Sequence, residues 1–122
     1  MNLIAMTIRQ LHQGLKDKQF SAVEVSEAYL KQIKDKDKSL EAYLSVDREG
    51  ALSAARGVDE LLKRGEPIGS LAGIPLAIKD NILIEGQQAT AGSKILKDYI
   101  AAYDATVIEK LKKENAVFLG KT

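Results

Sequence analysis

Apolar residues recur every three to four positions through the first half of the chain and gather into short branched runs in the second. Ile8, Leu11 and Leu15 share one helical face behind Thr7, whose hydroxyl suits an N-cap. Gly14 and the polar stretch Lys16-Asp17-Lys18-Gln19 predict that this first helix is short. A stronger start follows at Ser21, where Glu24 completes a capping box and Phe20 is placed to staple back onto Val25. Val25, Ala28, Tyr29 and Ile33 then form a stripe that predicts a second helix to about Lys34. Residues 42–46 read as a short strand. Asp47 is placed to cap a third helix, with Ala51, Ala54, Ala55, Val58, Leu61 and Leu62 on its buried side and Gly65 as its stop.

The character changes after Pro67, Gly69 and Gly73. Residues 74–78 and 82–84 are branched apolar runs of strand type. Residues 86–93 are small and polar, a loop. Asp104 is placed to cap a last helix carrying Val107, Ile108 and Leu111, and residues 116–119 predict a closing strand. Helices first, then strand, loop, helix and strand predict an α/β fold with a mixed or largely parallel sheet. A closing strand with little to pair against suggests a piece of a longer protein.

Composition narrows the classes. Hydrophobic residues make up 45% and charged residues 29% of 122, which fits one folded domain with a modest core rather than disorder. A net charge of +1 gives no general electrostatic reason for direct nucleic-acid binding. Without cysteine there is neither a disulfide framework nor a thiolate metal site, and a single histidine excludes a histidine cluster. The start lacks a basic, long-apolar secretory signal, and no apolar run approaches the roughly 20 residues of a membrane span. A cytoplasmic protein is expected.

Lys79 is the leading candidate for chemistry. It ends the apolar run Gly73-Ile74-Pro75-Leu76-Ala77-Ile78-Lys79-Asp80-Asn81. By strand alternation it shares a face with Pro75, Ala77 and Asn81, while Asp80 points to the other side and is a poor partner for it. An amine there is either a strand-end lysine that reaches water or, if sheltered, a neutral proton acceptor. Sheltering must be thorough: bringing an amine from about 10.4 to near 7 takes roughly 4 to 5 kcal/mol. A chain that exposes this strand end leaves the lysine charged.

Other features read more plainly. In residues 34–38 aspartates alternate with lysines and cancel the field a phosphate would need, which makes a solvated helix end. Ser93 follows Gly92 on the loop but lacks a strand–turn–helix elbow, a nearby histidine and a Ser-x-x-Lys spacing. Gly120-Lys121-Thr122 looks like the tail of a phosphate loop, yet Asn115 stands where the first glycine belongs and a strand precedes it. His12 lies at the margin of the first helix's apolar stripe and reads as structural.

The Lys79 segment, extended to Ile82, resembles the opening part of the amidase signature family. The resemblance continues through Thr90-Ala91-Gly92-Ser93, Tyr103-Asp104-Ala105-Thr106-Val107-Ile108 and Gly120-Lys121-Thr122, and so covers essentially the whole chain. It implies the N-terminal helices and part of the mixed, largely parallel sheet of that fold, with residues 1–122 the first part of a single amidase domain. It also implies a serine, cis-serine, lysine triad in which Lys79 is the catalytic lysine, neutral, accepting a proton from the cis-serine. Both serines, and the backbone donors of the oxyanion hole, are then expected beyond Thr122, so that the isolated segment is inactive.

Within the family, Thr7-Ile8-Arg9-Gln10-Leu11, the Ser21 segment, Ala42-Tyr43-Leu44 and Leu71-Ala72-Gly73-Ile74-Pro75 resemble the glutaminase subunits of tRNA-dependent amidotransferases. That resemblance implies glutamine as substrate and ammonia passed to a partner, in a heterotrimer with amidotransferase subunits B and C. The B component would hold most of the tRNA and use ATP and Mg²⁺ to activate the glutamate or aspartate on it. No cofactor or metal is then expected on this chain. A stand-alone amidase of small amides and a non-enzymatic partner-docking module are the alternatives.

Overall fold

The computed structural model describes residues 1–122. A single 3-10 turn at Leu3–Ala5 precedes α1 (Ile8–Lys16), α2 (Ala22–Leu40), β1 (Ser45–Val46) and α3 (Arg48–Lys63). β2 (Pro75–Ile78), a 3-10 turn at Lys94–Leu96, α4 (Thr106–Lys113) and β3 (Val117–Lys121) follow. Thr7 and Ser21 both make the reciprocal capping box, with Gln10 and Glu24, and Asp47 accepts from the Gly50 amide to start α3. Asp59, on α3, also accepts from the Ala22 and Val23 amides at 2.7 and 3.1 Å. One helix thus supplies a carboxylate to the orphan donors of another.

α1 ends at Lys16, in the polar stretch that predicts its stop, and α3 ends at Lys63 just before Gly65, whereas α2 runs further than its pattern predicts. Gly14 does not end α1. It is buried where the Phe20 ring crosses, and a Cβ there would meet the ring at 2.2 Å. α2 continues through the alternating lysines and aspartates to Leu40, helped by a Lys31–Asp35 pair one turn apart. Glu41, at φ 51°, ends it, and the Asp37 carboxylate accepts from the Ala42 amide beyond. On α3 the buried residues are Ala51, Ala55 and Val58; Ala54 is exposed instead.

The sheet is mixed, in the order β1-β3-β2, with β1 antiparallel and β2 parallel to β3. The closing strand therefore lies in the middle, paired on both sides, contrary to the expectation that it lacks neighbours. Its near-continuous apolar run fits burial on both faces. Val117 and Leu119 enter a cluster of 13 buried residues from α1, α2, α3 and the strands, while Phe118 packs on a smaller one of Ile78, Ile84 and Ile108. β1 is shorter than the predicted 42–46, although the Leu44 amide still reaches the Lys121 carbonyl at 2.8 Å.

Two other readings change. Residues 82–84 are not a strand: the Ile82 amide turns back to the Lys79 carbonyl, and Ile84 is buried in the small cluster. Asp104 does not cap α4, whose N-cap is Ala105 without a side-chain bond. The Asp104 carboxylate is already taken, by the Glu85 amide at 2.8 Å and by Lys112 at 2.6 Å.

Candidate active site

β2 and β3 run parallel, so their carboxyl ends lie side by side, the place where open α/β sheets hold ligands. Lys79 follows directly on the last residue of β2. Past the strand ends the pairing continues through Thr122, whose amide donates to the Ile78 carbonyl at 2.9 Å and whose carbonyl accepts from the Asp80 amide at 2.7 Å. Lys79 is held between those two bonds. Its side chain is exposed and enters no ion pair. It borders a groove of about 240 Å³ shared with Ala42, Leu44, Asp80, Asn81, Ala91, Gly92 and Thr122.

Beneath the groove lies the polar centre of this half of the chain. Lys121 is fully buried and Asp80 is 3% exposed. The Lys121 ammonium stands 3.1 Å from Asp80 Oδ1 and donates to the carbonyls of Ile82 at 2.9 Å and Gln88 at 3.2 Å. All three of its protons therefore have acceptors. Asp80 Oδ2 accepts from the Thr90 amide at 3.0 Å and from the Thr90 hydroxyl. Burial by itself would raise the Asp80 carboxyl, but the two Thr90 bonds and the Lys121 ammonium outweigh it and hold the group below its ordinary value.

The predicted site residues fall in different places. Lys79 and Asn81 both line the groove, and Asp80 turns away from Lys79 to a different lysine, as the strand alternation requires. Gly92 lines the groove too. Ser93 does not; its hydroxyl accepts from the Ile95 amide and caps a 3-10 turn. His12 lies on α1, half-buried, beside a separate groove with Lys16 and Glu66. Gly120-Lys121-Thr122 is strand and strand end, not a phosphate loop. A Cβ at Gly120 would lie 2.1 Å from the Ser45 carbonyl oxygen, so the glycine admits β1 rather than a ligand.

Sequence reasoning missed Lys121 and Thr90. One signal was available: a lysine closing the run Val117-Phe118-Leu119-Gly120 is buried by its neighbours and requires an acid, and Asp80 lacked a partner.

The sequence model of the family described as "Amidase" matches residues 24–122. The chain belongs to the amidase signature family. Among its relatives in this family, the glutamyl-tRNA(Gln) amidotransferase A-subunit of Streptomyces avermitilis is 48% identical over 122 residues, 100% of this chain and 24% of the relative. A protein of the same name from Carboxydothermus hydrogenoformans is also 48% identical, over 100% of this chain and 25% of its own length. The chain thus spans about a quarter of the length of the curated relatives it matches. Two solved amidase structures superpose closely. One is a bacterial aryl acylamidase of the amidase signature family, with TM-score 0.90 and 30% identity over 96% of this chain and 25% of that one. The other is the peptide amidase of Stenotrophomonas maltophilia, with TM-score 0.90 and 30% identity over 97% of this chain and 24% of that one. The mixed α/β arrangement described above is therefore the one these amidases share.

Proposed function

We propose that this chain is the N-terminal portion of the glutaminase subunit of a tRNA-dependent amidotransferase, the first part of a single amidase domain. The observation that carries the reading is 48% identity over all 122 residues to proteins named as the A-subunit of glutamyl-tRNA(Gln) amidotransferase. The two amidases of solved structure described above stand lower, at 30%, which favours the transamidating subunit over a stand-alone amidase.

In this reading Lys79 is the base. Its place at the carboxyl end of β2, on an open groove and without an ionic partner, leaves the amine free to be covered by the rest of the domain. Once covered, the neutral amine accepts a proton from the cis-serine, which takes one from the nucleophilic serine. The serine oxygen adds to the side-chain amide carbon of glutamine. The carbon–nitrogen bond then breaks, the relay returns a proton to the departing nitrogen, and ammonia leaves. Water cleaves the glutamyl ester and restores the serine.

Ammonia passes to a partner that uses ATP and Mg²⁺ to activate glutamate or aspartate on tRNA. The tRNA contacts belong mainly to that partner, the B component, and the C component completes a heterotrimer. The near-neutral charge of this chain suits such a division, and no cofactor is assigned to it. No helix is long and apolar enough to cross a membrane, which is compatible with work in the cytoplasm.

The test is glutamine hydrolysis by the full-length protein, assayed with and without its partner subunits. Lys79→Arg keeps the charge but cannot act as a neutral base, and should lower kcat by roughly 10²- to 10⁴-fold. Normal turnover by that variant removes Lys79 from the mechanism. Hydrolysis of simple amides with no response to partners would point to a stand-alone amidase instead.

A further inference from the structure

Two lysines stand at the carboxyl end of the parallel strands, and their surroundings give them different work. Lys121 is fully buried, with three acceptors around its ammonium: Asp80 Oδ1, the Ile82 carbonyl and the Gln88 carbonyl. An amine that donates every proton has no lone pair to offer a substrate or a serine. Lys79 has an exposed side chain at the groove.

We propose that Lys121, Asp80 and Thr90 form a positioning unit that sets where the Lys79 amine points, so that Lys121 and Thr90 act in catalysis through Lys79 without touching substrate. This rests on the reading of Lys79 as the base.

The geometry ties the unit to the backbone on both sides of Lys79. The preceding carbonyl, of Ile78, accepts from Thr122, the residue after Lys121, and the following amide, of Asp80, donates to the Thr122 carbonyl. The Asp80 carbonyl accepts from the Ala91 amide at 3.0 Å, and its carboxylate binds Thr90 through amide and hydroxyl. Lys121 then draws in the Ile82 and Gln88 carbonyls from the same excursion of chain. Within residues 82–91 the apolar anchoring lies at the start, where Ile84 is buried and Ile82 packs beside it, and at Ala89. The polar bonds fasten the rest of the loop to the residues around Lys79. Lysine suits the position because three diverging protons reach one carboxylate and two carbonyls. Methionine would fill the volume and satisfy none of them.

Reacting groups are sensitive to small displacements: a misplacement of about 1 Å can cost on the order of 10²-fold. The experiment is steady-state glutamine hydrolysis by the full-length enzyme with its partner subunits, with kcat expressed per folded molecule. Lys121→Met should lower kcat by on the order of 10²-fold with KM unchanged. Thr90→Val, which keeps the ion pair and the backbone amide, should lower kcat by a smaller factor, about tenfold, again with KM unchanged. Thr90→Ser, which restores the hydroxyl, should recover most of that loss.

If Lys121→Met does not fold, the Thr90→Val and Thr90→Ser pair decides alone. Wild-type kcat in folded Thr90→Val, or a loss expressed in KM, overturns the positioning role. A Lys79→Ala control separates the two levels: if it is inactive while folded Thr90→Val retains full kcat, only the positioning unit falls. If Lys79→Ala itself turns over normally, the reading of Lys79 falls and this inference falls with it.

Discussion

The two halves of this chain are held together by different forces. Residues 1–64 place three amphipathic helices on the sheet around most of the 13 buried apolar residues of the main cluster, and their polar bonds are chiefly caps. Residues 78–122 close around three buried isoleucines and one buried ion pair, with Thr90 and two carbonyls completing it. Apolar burial is non-directional and tolerates rearrangement. A carboxylate and an ammonium out of water tolerate none, since each lost bond leaves a desolvated polar group. The helical half is thus built for stability, and the strand–loop half holds one lysine in a set direction at the cost of sensitivity.

The sharpest way to break that contrast is Lys121→Met. It orphans a buried carboxylate and should destabilise the chain by about 3–5 kcal/mol, measured by chemical denaturation. Amide exchange should then quicken most in residues 79–92, while α1 and α3 keep their protection. Uniform loosening of both halves would show that the ion pair is not local in its effect.

Leu15→Ala is the counterpart in the apolar half. Leu15 is fully buried in the main cluster, and truncation should cost about 2–5 kcal/mol without selective loosening of residues 79–92.

Acid should also distinguish the halves. The Asp80 carboxyl lies below its ordinary value of 3.8 in the folded chain, because the Thr90 bonds and Lys121 outweigh burial. The unfolded chain therefore binds the proton first as the pH falls. Stabilisation from Asp80 is complete above that ordinary value and is lost as the pH drops through the lower, folded one. Asp104, held down against burial by Lys112 and the Glu85 amide, carries the same sign in the same half. Denaturation midpoints should fall less steeply below pH 4 in Asp80→Asn than in the wild type; equal slopes would remove the ion pair as an acid-sensitive element.

The smallest effect sharpens the helical side. Ser21→Ala removes the hydroxyl of a capping box and should cost about 0.5–2 kcal/mol by thermal or chemical denaturation. Asp59 still accepts from the Ala22 and Val23 amides, so a value near the lower end is expected.

Legibility in the sequence followed the range of the interactions. The caps could be read because each acts within one turn: Thr7 stands just before the first apolar position of α1, and Ser21 and Glu24 are three residues apart. The return bond between Gln10 and Thr7 came only with the structure. The place of Lys79 at a strand end was legible from the run before it, and so was the turning away of Asp80. The failures came where distant residues intervened. Gly14 looked like a helix end and was a seat for Phe20, and Asp104 looked like a cap and was occupied by Glu85 and Lys112. Residues 82–84 looked like a strand, but the turn at Lys79 and the Lys121 ammonium claimed their backbone.

By itself the sequence determined the helices, the strand on which Lys79 sits, the α/β class and the family whose pattern the chain carries. These depend on periodicity, caps and a contiguous motif, all local in the chain. Only the tertiary structure decided that β3 lies in the middle of the sheet and that Lys121 reaches across to Asp80. Strand order and a buried ion pair depend on which distant residues exclude water together, and no spacing along the chain records that.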